Sequence, residues 1–248
     1  MISKSFRFLI LPTLGAILVF VTCLGFFYKD NLMSKDGKFN FPYTHYAFPE
    51  ISNTAMFYTD SFYGYRTTIF SAGLASLAIV YFIVFYLLSK IFDKKFRKAI
   101  ISLGSFAVFG LFFLAMFPPS PPMHVHTFFA GCYFLGAALL VTFLSSIDYK
   151  YNSKAVNALR ITAIIIIWSC TIVMALVPAK TYEQALQNNQ EMDTFLASQY
   201  TQTIKASMEW TSIILCDLMI FSFYPRFKLL KIEINVKNIP FSEKNSQV

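Results

Sequence analysis

Two carboxylates, Glu209 and Asp217, interrupt the otherwise apolar run Ala206–Pro225. A carboxylate inside a membrane is expensive and normally faces a bundle interior or a wet cavity. On a helix Asp217 would lie about 12 Å deeper than Glu209 and roughly 80° around the axis. Two readings stand for each. Both could belong to a polar site between helices. Otherwise Glu209 reaches up to the headgroups, and Asp217 is neutral or bonded to a neighbouring Ser or Thr. His126 follows the prolines Pro118, Pro119, Pro121 and Pro122 and opens another apolar run. An imidazole oriented by a carboxylate is an acid–base arrangement, so His126 and Glu209 form the candidate catalytic pair. The plain alternative is a histidine at the start of a helix. Ser52, Asn53 and Arg66 precede a third run. A guanidinium there suits a lipid phosphate or carboxylate. Ser52, Asn53, Arg66 and Asp217 are therefore the candidate lipid-binding residues. His124 and His126 have weak metal-ligand spacing, and all four cysteines (Cys23, Cys132, Cys170, Cys216) fall inside apolar runs. Neither a metal nor a cofactor is expected, and no phosphate-loop, dinucleotide-fold or zinc-protease signature is present.

The elements that must position these residues are membrane helices. Of 248 residues 56% are hydrophobic and only 14% charged, against about 25% charge in a soluble domain. That balance excludes a disordered chain and an ordinary soluble enzyme. Uncharged runs cover 8–28, 69–89, 99–117, 127–147 and 161–179, and the run with the two carboxylates covers 206–225. A bilayer core takes roughly 20 such residues as helix, and a helix satisfies its own backbone in lipid. Barrel strands would be short and alternating. The expected fold is all-α, a polytopic membrane protein with six transmembrane helices. A membrane domain fills residues 1–225, and a polar tail follows over 226–248. The first run is longer than a signal peptide's apolar core and has no small-residue cleavage site, so it reads as a retained span.

Basic residues fix the expected orientation. The N-terminal tail, Lys90–Lys98, Asp148–Arg160 and Arg226–Val248 share one side, which carries 15 of the 21 Lys and Arg residues. That side is read as cytoplasmic, with both termini on it. The net charge of +8 is then mostly orientation bias, and no nucleic-acid partner is implied. Lys94, Lys95, Arg97 and Lys98 are expected to orient the chain and not to take part in its activity. On the other side, Ser52, His126 and Glu209 should share one layer. The first long loop is rich in aromatic residues, and Tyr182–Leu196 in the second is expected to form a short polar helix. Small residues such as Gly73, Gly131 and Gly136 suggest that the second and fourth spans are interior.

Three short stretches carry a family resemblance: Phe48-Pro49-Glu50-Ile51-Ser52-Asn53-Thr54-Ala55, then Val125-His126, then Met208-Glu209-Trp210. With the span number and loop lengths, the chain resembles the DRAM-like superfamily of six-span membrane proteins. It is most like the post-GPI-attachment lipid-remodelling factors and the N-terminal domain of a related fungal cell-wall protein. Asn53-Thr54-Ala55 departs from the autophagy-modulator branch, Arg66 could match the remodelling branch, and Asp217 matches no family position. No second remodelling domain is expected after the six spans. The resemblance implies a part in GPI-anchor lipid remodelling on the lumenal side of the Golgi or ER membrane, with membrane lipid and GPI-anchored proteins as partners. The alternative it implies is a non-enzymatic lipid-organising or autophagy-modulating protein of the endolysosomal or plasma membrane. Whether the chain is itself an enzyme, and its oligomeric state, stay open.

The division of basic residues predicts that tags at the two ends are both reached by antibody when only the plasma membrane is permeabilised. Tags found on opposite sides would show that the number of spans is odd.

Overall fold

The structure, a computed structural model, describes residues 65–117, 123–176 and 192–227, together with Leu14, Gly15, Leu18 and Val21, which are helical. Among the described residues every regular element is helical: α1 (Tyr65–Ile91), α2 (Lys94–Met116), α3 (Met123–Asp148), a 3₁₀ turn (Tyr149–Tyr151), α4 (Lys154–Leu176), α5 (Met192–Phe221) and the short α6 (Tyr224–Phe227). The first expected span apart from those four residues, the loop with Ser52 and Asn53, the prolines 118–122 and the tail beyond 227 lie outside the described residues.

Among the described residues four helices are long and apolar enough to cross a membrane: Thr68–Ile91, Lys94–Met116, Val125–Tyr151 and Lys154–Leu176. They overlap the second to fifth apolar runs and extend beyond them at most ends. The charged flanks continue the helix because Lys and Arg are good helix formers whose ammonium and guanidinium groups reach water on long stems. Residues 206–221 of the sixth run form the C-terminal part of α5, and the rest of the run, expected to continue to Pro225, turns at 222–223 into α6. That helix already begins at Met192, so Met192–Leu196, within the expected polar loop helix, is continuous with the run after it.

Local signals explain the breaks. Asp93 stands at the N-cap of α2. The α2 end is closed by the Phe117 amide bonding to Phe113 O at 2.9 Å, and the sequence then turns to proline. Before α4, Ser153 caps with its hydroxyl, accepting from the Val156 amide at 3.3 Å.

Packing centres on α3. Half of its spanning window is buried, against 17% of that of α4. Leu140 and Leu144 of α3 are fully enclosed with Leu88 of α1 and Ile100 of α2. Lipid is as apolar as leucine, so close van der Waals fit rather than water exclusion holds membrane helices together. Glycine supplies that fit between α2 and α3. A Cβ on Gly110 would strike the Tyr133 amide nitrogen, and would come within 2.8 Å of Phe129 O. A Cβ on Gly136 would meet Ala107 Cα and N at 2.8 Å. The two helices therefore touch backbone to backbone at two levels. Gly131 faces open space, so its small size is not needed within the described bundle.

At the end rich in basic residues the helices are joined by charge. Asp148, fully buried at the end of α3, accepts from Arg160 Nη1 of α4 and from Arg226 Nε of α6, both at 2.8 Å. Arg160 also donates through Nε to Ser222 Oγ at 3.0 Å and through Nη2 to Ser222 O at 2.9 Å. One guanidinium thus fastens the end of α3 to the end of α5.

Gly110→Val should lower the thermal stability of the detergent-purified protein by about 1–3 kcal/mol, or prevent its assembly, because backbone atoms cannot yield to the new methyl groups. Gly131→Ala should leave stability unchanged or slightly raised. Equal losses from both would show that the backbone contact at Gly110 is not what sets the cost, since helix propensity alone favours both substitutions.

Candidate functional site

The fixed ends of α3 and α5 set the level of everything above them. Tyr133 lies about 22 Å of helix before Asp148, and Glu209 about 20 Å before Ser222. These two residues therefore stand at nearly one height. Tyr133 is within electrostatic range of Asp217 and, more weakly, of Glu209. Tyr133 is buried, and Glu209 is half-buried. Asp217, about 12 Å further down α5, is buried and accepts a hydrogen bond from the Tyr81 hydroxyl of α1. The partner is thus a phenol, not a Ser or Thr. Glu209, Tyr133, Asp217 and Tyr81 form a polar array that descends into the bundle between α1, α3 and α5.

A cavity of about 20 Å³ adjoins Tyr81, Tyr133, Cys216 and Asp217. A site needs roughly 10–15 Å³ of this measure to hold one water, so this space fits a single water and no lipid group. The lower array can exchange hydrogen bonds and hold a proton. Its upper member, Glu209, is the one with access to the bundle edge.

His126 lies about 10 Å of helix outward from Tyr133 on nearly the same face of α3, since seven residues turn through about two helical turns. It is buried, and its Nδ1 bonds to Phe117 O at 2.8 Å. With a carbonyl acceptor, Nδ1 carries the proton and Nε2 is left as the other ring atom for exchange. The bond closes the outer ends of α2 and α3, where Phe117, Phe113 and Phe129 stack at centroid distances of 4.9–6.3 Å. The candidate pair must bridge the offset between His126 and the level of Glu209. Arg66 lies in the first turn of α1. Ser52 and Asn53 lie outside the described residues. Among the described residues, no group of three His, Cys, Asp or Glu is placed to hold a metal ion.

Sequence reading missed Tyr81 and Tyr133, because tyrosine in an apolar run reads as an ordinary aromatic. The available signal was its hydroxyl, which needs a partner away from water. It also missed the ion cluster, taking Asp148, Arg160 and Arg226 for loop and tail charges.

These features define an integral membrane protein, a helical bundle with polar residues brought inside at both ends. The family model described as Frag1/DRAM/Sfk1/Cwh43P N-terminal domain matches residues 6–230, and the chain belongs to that family. Comparison with curated proteins and with solved structures gives no match.

In a chain cleared of its native cysteines, the pair Tyr133→Cys and Glu209→Cys should crosslink with the shortest bifunctional reagents, ahead of the pair His126→Cys and Glu209→Cys. The reverse order would mean that α5 is shifted outward by more than one turn relative to the register set by Arg160.

Proposed function

We propose that this chain takes part in the lipid remodelling of GPI anchors, as a six-span protein with both termini in the cytosol and its working layer on the lumenal side of the Golgi or ER membrane. The observation that carries this reading is Glu209, a half-buried carboxylate near the lumenal end of the bundle, beside a buried tyrosine. Family membership supports it, since the family includes the Cwh43 N-terminal domain. In this reading Glu209 handles a proton with His126 as its acid–base partner. Ser52, Asn53 and Arg66 bind the lipid, and Asp217, bonded to Tyr81, supports the layer from beneath. GPI-anchored proteins are the partners.

A second reading has one observation in its favour. The cavity beside Asp217 admits only a water, which suits a protein that binds or organises lipid at its surface without breaking bonds. Such a protein could work in the endolysosomal or plasma membrane, as an autophagy modulator would. In cells lacking the chain, loss or secretion of GPI-anchored proteins supports remodelling, and normal surface levels support the second reading.

Glu209→Gln keeps the shape and removes the ionisable group. It should leave expression near normal and fail to rescue the deletion phenotype. His126→Ala should do the same, and the double variant should be no worse than either single one, as for residues acting in one unit. Full rescue by Glu209→Gln would end the claim that the carboxylate works in this layer.

A further inference from the structure

At the end opposite the Glu209 layer, a cavity of about 520 Å³ opens between the α1–α2 turn and the end of α3. Small-molecule sites usually span roughly 300–1,000 Å³, so a headgroup-sized ligand fits. Its charged lining is Lys95, Lys150 and Arg226 on one hand, and Asp93 and Asp148 on the other.

The two acids do not cancel the three bases. Both oxygens of Asp148 are occupied: Oδ1 by Arg226, and Oδ2 by Arg160 and by Asn152 Nδ2 at 2.8 Å. Arg160 stands behind the wall, so one carboxylate meets two guanidiniums and the cluster keeps one positive charge. Asp93 offsets one of the two lysines, leaving about two positive charges around the space. Among the described residues neither lysine is in an ion pair. Each instead lies over an aromatic ring, Lys95 over Phe96 and Lys150 over Tyr151, with Nζ 4.8 Å from the centroid. Arg226 stacks on Tyr151 at 4.3 Å, and its Nη2 is buried with no hydrogen-bond partner among the described residues. Ile91 and Ile147 add an apolar wall next to the spanning segments.

Excess positive charge, paired with aromatic and apolar walls at the foot of membrane helices, matches a ligand that is anionic at one end and apolar at the other. We propose that this cavity binds a phosphate group, carried by an anionic phospholipid of the adjoining leaflet or by a soluble phosphate compound. Lys95 and Lys150 would swing from their rings onto the phosphate, and Arg226 would meet it from the base. This gives Lys95 a binding role beyond setting orientation. The proposal is independent of the GPI reading, which concerns the other end of the bundle, and it holds for either orientation of the chain.

The test uses the full-length protein in nanodiscs of phosphatidylcholine, with short-chain phosphatidic acid as the acylated probe and inorganic phosphate as the free one. Binding is read by native mass spectrometry and by thermal shift at several salt concentrations. The paired variant Lys95→Gln and Lys150→Gln changes exposed side chains only, so its folding should be unaffected. Each lysine near a membrane surface contributes about fivefold to anion binding, so the pair should weaken phosphatidic acid binding about 25-fold. The control pair Lys94→Gln and Lys98→Gln removes the same charge outside the cavity and should have little effect. Competition by the acylated probe alone assigns the site to a lipid. Equal competition by inorganic phosphate assigns it to a soluble phosphate. Unchanged binding in the cavity variant, or equal loss in the control, overturns the proposal.

Discussion

The Asp148 carboxylate is the constraint on which the rest of the bundle depends. Removing a charged group from water is costly, and a buried ion pair breaks even only if its remaining lone pairs and protons are satisfied. Here three side chains converge on the two oxygens, and the main-chain carbonyl of Asp148 also accepts from Asn152 at 2.7 Å. Arg160 is equally engaged, with donors on Asp148 and Ser222 and its flat face 4.1 Å from the Phe223 ring. Apolar contacts tolerate sliding by a fraction of a turn. This arrangement does not, because any slip leaves a buried charge unmatched. Its contribution is register more than affinity between helices.

Register at one end becomes geometry at the other because helices are stiff. With α3 and α5 fastened through one guanidinium, the height of each residue above that point follows from the rise per residue. Tyr133 and Glu209 come to nearly one height as a consequence, and Asp217 falls to a level where Tyr81 can reach it. The glycines Gly110 and Gly136 perform the complementary task sideways, bringing α2 against α3 so that the core around Leu140 and Leu144 closes. The polar array is thus held by features distant from it: an ion cluster below and a backbone contact beside it.

Much of this was legible in the sequence, for a physical reason. The apolar runs announce helices because lipid allows few other solutions, and the depth of Asp217 announced an interior position. The partner of Asp217 was not legible, since helix order and rotation decide which hydroxyl it meets, and those depend on contacts across the chain. The Asp148 cluster was hidden by its position. Asp148 and Arg160 stand just outside apolar runs, where charge normally means solvation and orientation. Hydropathy cannot distinguish a charge that faces water from one that turns inward onto another helix. The lone acid among the basic residues of the 148–160 segment was the one hint. The extension of α5 to Met192 was obscured for a similar reason, because polar residues end the hydropathy signal before they end the helix.

The distribution of space within the array separates its members by chemical reach. Proton transfer to or from a lipid group requires heavy atoms at about 2.6–3.2 Å, or one intervening water. Around Asp217 the available volume is that of a single water, closed by Tyr81, Tyr133 and Cys216. A lipid carbonyl or hydroxyl, attached to the bulk of its glycerol or sugar, has no room there. Glu209 is half-buried, on the same helix and nearer the end, beside a tyrosine whose hydroxyl is already in the field of Asp217. In the proposed reading, contact with a lipid therefore falls to the Glu209 level, and any influence of Asp217 and Tyr81 on it would pass by way of Tyr133 and at most one water. On that reading the deeper carboxylate would support the outer one and set the polarity of the layer from below.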